Sequence, residues 1–432
     1  MPLGFAPFSH LSQELIDEII DALFDPQEIE RKISQFCACA TVCRAFRHRA
    51  QKHAFYSMTP FRRRDSLASS RKRVVDFHNI LQENPQIASY VRRLNLKMID
   101  ASGWLFDDPL FCEIMELISR TWAVEMRLEL SVYGWGGNFQ FTNNRRVETR
   151  FVKPFITPFI TSLDLYSIDN IPLSLLAHCP HLVELRLVWV TVEAIRPLNA
   201  IDIDCSLRPR PRNFMFRSCG DTIRILETTY VDFGYLQRLS VSGFLYNELS
   251  NVKLILNAAS SSLEHLQLEF EELEQGDKLD LYDLSKIPNL TFLSIYEVNL
   301  DDLDEEDSFV DVCNLLRTIP SEQTKIKTIA LGFKGDLDNP FSLAAYLKKL
   351  EIGSGGPLCP VLAKLAERGP LVVKFMLDIS LKYDADRNKE IWERRNTEMR
   401  VWIAKNLELT SLLSPNLCLE YDYEMSSSRS LF

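Results

Sequence analysis

The sequence has no apolar run approaching the roughly 18 residues that a membrane-crossing helix needs. Its N-terminus lacks a basic segment ahead of an apolar core, and an acidic residue appears by Glu14, so no signal peptide is expected. Cytosol or nucleus is the expected compartment, with no membrane partner. A cationic excess is missing too. Lys and Arg number 49 against 59 Asp and Glu, a net charge of −10, with a pI near 5.4. That balance argues against nucleic acid as the main partner.

Motifs of catalysis are equally scarce. None of the seven histidines sits in His-Glu-x-x-His or beside Cys-x-x-Cys, and there is no Gly-x-Ser-x-Gly elbow. Gly353-Ser354-Gly355-Gly356 lacks the Lys-Ser/Thr of a phosphate loop. The acidic run Asp301 to Asp307 lacks the spacing and central Gly of an EF-hand and reads as a solvated loop. Cys37, Cys39 and Cys43, with His48 and His53, come nearest to a metal cluster. Structural zinc wants a second pair of ligands across a loop, whereas these thiols lie along apolar helix faces and read as packing. No metal, no cofactor and no catalysis are expected. The enzyme alternative is a hydrolase or transferase on an α/β sheet, and it requires a deep pocket of titratable residues with shifted pKa values.

What is present is globular: 432 residues, 46% hydrophobic and 25% charged. Such a length implies two to four domains unless repeats build one long one. The ten cysteines are scattered through apolar segments and read as free thiols in a reducing compartment.

Residues 8–58 carry three amphipathic helices. In the first, Ser12 caps, Leu11 precedes it, and Leu15, Ile19 and Leu23 recur at helical spacing. Asp25-Pro26-Gln27-Glu28 makes a strong second start, with an Asp cap, Pro at the first helical position and Glu at N3. Ile29, Ile33, Phe36 and Cys37 continue that helix, and the break to the third is expected near Ala40 or Thr41. The third carries Val42, Cys43 and Phe46, with Arg44, Arg47, Arg49 and Lys52 on its other faces.

This stretch resembles an F-box. The family pattern is met at Leu11, Glu14, Leu15, Ile19, Ile20 and Leu23, then Asp25-Pro26, then Val42-Cys43-Arg44-Ala45-Phe46. One departure is Ser12, where the family has Pro; Ser can begin a helix by capping instead. The resemblance implies docking on the Skp-type adaptor of an SCF ubiquitin ligase, and through it on a cullin scaffold. The residues it implies for adaptor contact are Leu11, Ser12, Glu14, Leu15, Ile19, Leu23, Val42, Cys43 and Phe46. The alternative is a three-helix lead-in to a larger domain.

Residues 59–90 read as a basic helical linker. Arg62-Arg63-Arg64 and Arg71-Lys72-Arg73 flank a Ser-rich spacer. They are either a nuclear-localisation or anion-binding element or a solvated helix face. Val74, Phe77 and Leu81 give a helical stripe that Pro85 should end.

From Val91 a phrase repeats: VRRLNLKM, VEMRLELSV, ITSLDLYSI, LVELRLVWV, a degenerate NFMFRSC, LQRLSVSG, LEHLQLEF, LTFLSIYEV, IKTIALGF and VKFMLDIS. Period-2 alternation sends pairs such as Leu94/Leu96, Leu163/Leu165, Leu185/Leu187, Leu266/Leu268 and Leu293/Ile295 into a core. Segments 171–179, 251–259 and 308–319 between them have helical spacing. Successive pairs lie roughly 22 to 37 residues apart, the leucine-rich-repeat range. CPHLVELRLVWV and IPNLTFLSIYEV resemble divergent leucine-rich repeats, and the combination resembles the F-box proteins numerous in fungi. The fold class expected is α/β: the F-box helices, a horseshoe-shaped solenoid over 91–380, then a C-terminal cap and disordered tail over 381–432. A charged helix over 384–405 would form the cap. The alternative is a conventional two-layer α/β domain.

Such a solenoid would hold a protein substrate on its concave face, through residues flanking the core leucines. These are Arg93, Asn95, Arg127, Asp164, Tyr166, Arg186, Gln267, Glu269 and Tyr296, with charge running from basic to acidic along the chain. The function expected is an SCF substrate receptor. Its rival is a protein-interaction scaffold unconnected with ubiquitin, in which the first repeats would cover the apolar face of the N-terminal helices.

Overall fold

The computed structural model describes residues 11–25, 29–60, 66–99, 104–121, 128–135, 148–171, 175–176, 178–192, 208–220, 222–226, 230–243, 249–269, 283–299, 307–320, 325–336, 358–367, 369–381, 397, 401 and 416–427. The chain is mixed α/β, and it divides into two compact units, Met1–Pro209 and Arg210–Phe432. Among the described residues no helix is long and apolar enough to cross a membrane.

The first unit opens with helices α1 (Gln13–Ala22), α2 (Ile29–Val42) and α3 (Arg44–Ala54). Strand β1 (Ser57–Met58), helix α4 (Leu67–Glu83) and a 3-10 helix, Pro85–Tyr90, follow. Ser66 caps α4 through the Ser69 amide, and the chain leaves the α-helical path one residue before Pro85, as its ring requires. Then come β2 (Arg93–Ile99), a single turn α5 (Trp104–Asp107), α6 (Pro109–Thr121) and β3 (Leu128–Trp135). A π-helical stretch, Glu148–Ile156, leads into β4 (Ile160–Ile171) and β5 (Glu184–Val192). The five strands pair in chain order, all parallel.

The second unit holds β6 (Asn213–Arg217), a short α7 (Thr222–Ile225), β7 (Arg238–Ser242), α8 (Leu249–Ala258) and β8 (His265–Glu269). After these come β9 (Phe292–Asn299), α9 (Asp307–Arg317), β10 (Thr328–Asp336), α10 (Leu358–Ala366), β11 (Leu371–Leu381) and β12 (Leu417–Ser427). Again each strand lies parallel to its sequence neighbour.

This register stacks the core in rows. Phe214, Leu239, Leu266, Leu293, Ile329, Val373 and Leu419 form one row across seven strands, and all are buried. Phe216, Val241, Leu268, Ile295, Leu331 and Phe375 form the next. In the first unit Leu94, Leu163 and Leu185 stand in one row and Leu96, Leu165 and Leu187 in another, with β3 between. Six of these buried pairs are preceded, three residues earlier, by another buried apolar residue: Val91, Ile160, Leu182, Leu236, Leu263 and Leu290. Each fully buried side chain of this size contributes roughly 1.5–3 kcal/mol, so the rows dominate the stability of each unit.

Strand starts are tied by a recurring backbone device. The Arg212 carbonyl accepts from the Gln237 and Arg238 amides at 2.8 and 2.9 Å. The Gln237 carbonyl does the same for Glu264 and His265, and the Glu264 carbonyl for Thr291 and Phe292. Turns before strands recur as well. Asp232 accepts from the Gly234 amide and Asp283 from the Ser285 amide, both at 3.1 Å, each opening a 3-10 turn.

Several local expectations are revised. The break between α2 and α3 falls at Cys43, whose backbone is extended, and not at Ala40 or Thr41. Ile171 ends a strand and does not begin a helix. Pro26, Gln27 and Glu28 of the expected second helix start, and most of the expected 384–405 helix, lie outside the described residues. The C-terminal region instead supplies β12, which includes Ser426 and Ser427, assigned from sequence to a disordered tail. Its alternation of Leu417, Leu419, Tyr421, Tyr423 and Met425 was the available signal.

Candidate functional site

The three N-terminal helices make a small core of their own. Ile16 and Ile20 of α1 pack with Phe36 of α2 and with Phe46 and Ala54 of α3. Polar ties lock α1 to α3. Asp21 accepts from Arg49 Nε at 2.5 Å and from Arg49 Nη2, and it lies 2.7 Å from His53 Nε2. The Arg49 guanidinium holds the Asp21 carboxyl down at about 2, with His53 adding to the effect against partial burial. His53 itself stacks on Phe24 at 4.3 Å and lies 5.3 Å from the Phe36 ring. Burial lowers its pKa although Asp21 pulls the other way. At the other end of α1, Gln13 Nε2 donates to the Ala45 carbonyl at 3.0 Å, bringing the helix start beside the α2–α3 junction.

Only half of the apolar arc of α1 is used by this core. Ile16 and Ile20 face in, while the neighbouring stripe of Leu11, Leu15, Ile19 and Leu23 is exposed, Leu15 and Ile19 at 48% each. Residues four apart share one helix face, so Leu15, Ile19 and the C-cap Leu23 form a continuous stripe, with Leu11 exposed just before the Ser12 cap. Val42, 57% exposed, and the exposed Cys43 stand at the α2–α3 junction, next to the end of α1 that Gln13 fixes. Ser12 begins α1 as a cap, accepting from the Leu15 amide at 3.4 Å. Glu14 follows it with a pKa lowered by its own backbone N–H and then by the Ser12 hydroxyl. Phe46 differs from its neighbours in the motif: it is 8% exposed and belongs to the internal core. It supports the surface from beneath rather than lining it.

The polar faces of the sheets are less open than the strand phrase implies. Asn95 is buried and donates to Ser57 Oγ at 3.1 Å, so it ties β2 to β1. Arg93 lies over Tyr56 at 6.0 Å. Asp164 and Arg186 stand in register on β4 and β5 and pair at 3.9 Å. Tyr166 meets Trp189 edge to face at 5.0 Å. Trp189 has φ +52°, and Ser167 on the neighbouring strand has φ +54°, a left-handed step that bulky residues rarely take. The step reverses the alternation of β5: Val188 is buried and Trp189 exposed at 43%. In the second unit Gln267 and Glu269 are half-buried on β8, while Ser242, Ser294 and Ala330 on the same face are buried. Tyr296 lies across the sheet. Its ring covers Gly332 on β10, and its hydroxyl reaches Met376 Sδ on β11 at 3.8 Å. Arg127 lies outside the described residues.

The basic run is divided. Arg62 to Arg64 lie outside the described residues. Arg71, Lys72 and Arg73 sit on α4 and are engaged there: Arg71 over Trp104 at 5.2 Å, Lys72 with Asp76 at 3.5 Å, and Arg73 donating to the Pro60 carbonyl at 3.1 Å. An apolar cavity of about 160 Å³ lies between Ile33, Phe55, Met58, Val74 and Phe77.

Among the described residues no three His, Cys, Asp or Glu side chains group to hold a metal. Cys37 and Cys43 are exposed and not packed, whereas Cys179, Cys219 and Cys313 are buried. Burial pushes the Cys179 thiol up to about 12, away from the thiolate range. No protein-family model matches the chain, and no curated protein matches it. The candidate site therefore rests on geometry: an unburied apolar stripe, backed by a rigid core and flanked by a second exposed apolar position.

Sequence reasoning passed over the Asp21–Arg49–His53 tie and the α6 helix. The Asp108-Pro109 pair was a legible start for α6: Asp108 Oδ1 accepts from the Leu110 and Phe111 amides at 3.0 and 3.1 Å.

Proposed function

We propose that the chain is a non-catalytic substrate receptor of an SCF-type ubiquitin ligase. The observation that carries this reading is the exposed stripe Leu11, Leu15, Ile19 and Leu23 beside Val42 and Cys43. It coincides with the residues on which the F-box resemblance rests. With 37–48% of each of these four residues still exposed, docking can gain at most about half of the roughly 1.5–3 kcal/mol that full burial of such a side chain is worth, still enough together to favour a partner helix. The partner proposed is a Skp-type adaptor, with a cullin scaffold beyond it.

The parallel strands, each paired with its sequence neighbour and separated by connectors that include α6, α8, α9 and α10, support a leucine-rich-repeat-like solenoid. The polar faces of its strands would hold a protein substrate. Arg93, Asp164, Arg186, Tyr166 and Trp189 are the residues offered for that contact in the first unit, and Gln267 and Glu269 in the second, whereas Asn95 and Tyr296 are engaged in internal contacts. Chemistry would be left to the conjugating enzyme, to which the tethered substrate is presented at high effective concentration.

Co-purification with a Skp-type adaptor tests the reading. The wild-type chain should form a stoichiometric complex, and Leu15→Asp/Ile19→Asp should lose it while keeping the same far-UV spectrum and melting midpoint. A folded wild-type chain that forms no complex at micromolar concentration overturns the adaptor assignment and favours a free-standing interaction scaffold.

A further inference from the structure

We propose that the polar face of β4 and β5 takes an arginine side chain of a bound protein segment, seated in the corner between Tyr166 and Trp189. This deepens the reading of that face as the substrate surface and rests on it, but not on the adaptor assignment.

Backbone strain marks the place. Trp189 has φ +52° and Ser167 φ +54°, and the register sets the two opposite each other, between the Tyr166–Val188 and Ile168–Val190 pairs. Simple alternation along β5 would turn Val188 outward beside Tyr166 and bury the indole. The left-handed step does the reverse: Val188 is buried and Trp189 exposed. Costly backbone of this kind gathers at ligand clamps, and what it secures here is an indole on the open face.

The neighbours of the indole fix the chemistry. The Tyr166 and Trp189 rings stand 5.0 Å apart at 71°, and their π faces attract a cation. Carboxylates lie on both sides of the rings. Asp164 precedes Tyr166 by two residues on β4, and Arg186 meets it at 3.9 Å, a loose pair that an incoming guanidinium can share. Beyond the rings, exposed Thr191 follows Trp189 by two residues, and its hydroxyl donates to Asp169 at 3.0 Å. A guanidinium is planar, stacks on an indole and forks to a carboxylate, a match that a compact ammonium does not make.

The test uses the full chain and the N-acetylated, C-amidated peptide Gly-Gly-Arg-Gly-Gly, beside the same peptide with citrulline, which keeps the shape and removes the charge. Saturation transfer to the methylenes of the central side chain reports binding by NMR in every variant. The arginine peptide should bind the wild type about tenfold more tightly than the citrulline peptide and shift the Trp189 indole N–H signal. Tyr166→Ala and Asp164→Asn should each weaken it several-fold, and Trp189→Gly should abolish it. Glycine is at ease at φ +52°, so Trp189→Gly keeps the fold, and an unchanged far-UV spectrum separates loss of the site from loss of structure. Equal binding of the citrulline peptide, undiminished binding by the folded Trp189→Gly chain, or no binding by the wild type overturns the inference. A chain that takes the arginine peptide but forms no adaptor complex keeps this site and loses the ubiquitin-ligase assignment; the converse result loses this site alone.

Discussion

Gly332 is small because Tyr296 lies on it. A methyl group at Gly332 would stand 2.5 Å from Tyr296 Cδ1 and 3.2 Å from Tyr296 Cα, and the second of these is backbone that no rotamer relieves. Gly332→Ala should therefore destabilise the chain by about 1–3 kcal/mol, the usual cost of overpacking, measured from denaturant midpoints. The cost should shrink in the Tyr296→Ala background, where only the backbone contact remains. A neutral single substitution would mean that the ring does not occupy this place.

Asp21 and His53 make the N-terminal helices sensitive to acid. Asp21 has a folded pKa of about 2 against 3.8 in an unfolded chain, so the unfolded state binds its proton first. The stability it contributes is complete above 3.8 and is lost as pH falls towards 2. His53 is lowered below 6.5 by burial, so the same sign applies from about 6.5 downwards. Melting midpoints should fall from pH 7 to 5 through His53, and fall again below pH 4 through Asp21. Asp21→Asn should flatten the lower segment and steepen the upper one, because the carboxylate that favours protonated His53 is gone. A wild-type midpoint constant from pH 7 to 3 would remove both assignments.

At the scale of elements, strands were the most legible part of the sequence. Leu266/Leu268 and Leu293/Ile295 announce themselves because alternation depends on the pleat alone. What alternation does not encode is a change of backbone hand. At Trp189 one left-handed residue exchanges the faces, so Val188 went to the core against its parity. Lateral reach is equally silent: Tyr296 spans two neighbouring strands, and Asn95 turns to Ser57, because register places partners there that are far away in the chain, 38 residues for Asn95 and 80 for Met376. The N-terminal stripe was legible as apolar spacing. The division of α1 into an inner face at Ile16 and Ile20 and an outer one at Leu15 and Ile19 needed the positions of Phe36 and Phe46. That division makes the adaptor prediction selective, since positions 15 and 19 lie outside the cluster of Ile16, Ile20, Phe36, Phe46 and Ala54. If the Leu15→Asp/Ile19→Asp chain melts well below the wild type, the stripe serves folding instead.

At the scale of the whole molecule, the second unit stores its order in strands flanked on both sides. Amides of β8, β9 and β10 bond between two neighbours, whereas α8 and α9 are single connectors. Hydrogen exchange followed by mass spectrometry should find the slowest amides of this unit on β8–β10. Faster exchange there than in α8 would show that the rows of leucines are not its most stable part.

The recurring carbonyl at each strand start has a consequence for how such a chain can change over time. Because the Glu264 carbonyl captures both the Thr291 and Phe292 amides, as Arg212 and Gln237 do for the two strands before, alignment is reset at the threshold of β7, β8 and β9. Residues added between Glu269 and Asp283 would leave that capture untouched, and β9 would still enter with Leu293 and Ile295 inward. One residue added between Leu290 and Leu293 would turn the same side chains outward. Connector length is thus free to drift between lineages while the short spans just before the strands are not, so new surface can be acquired without redesigning the interior.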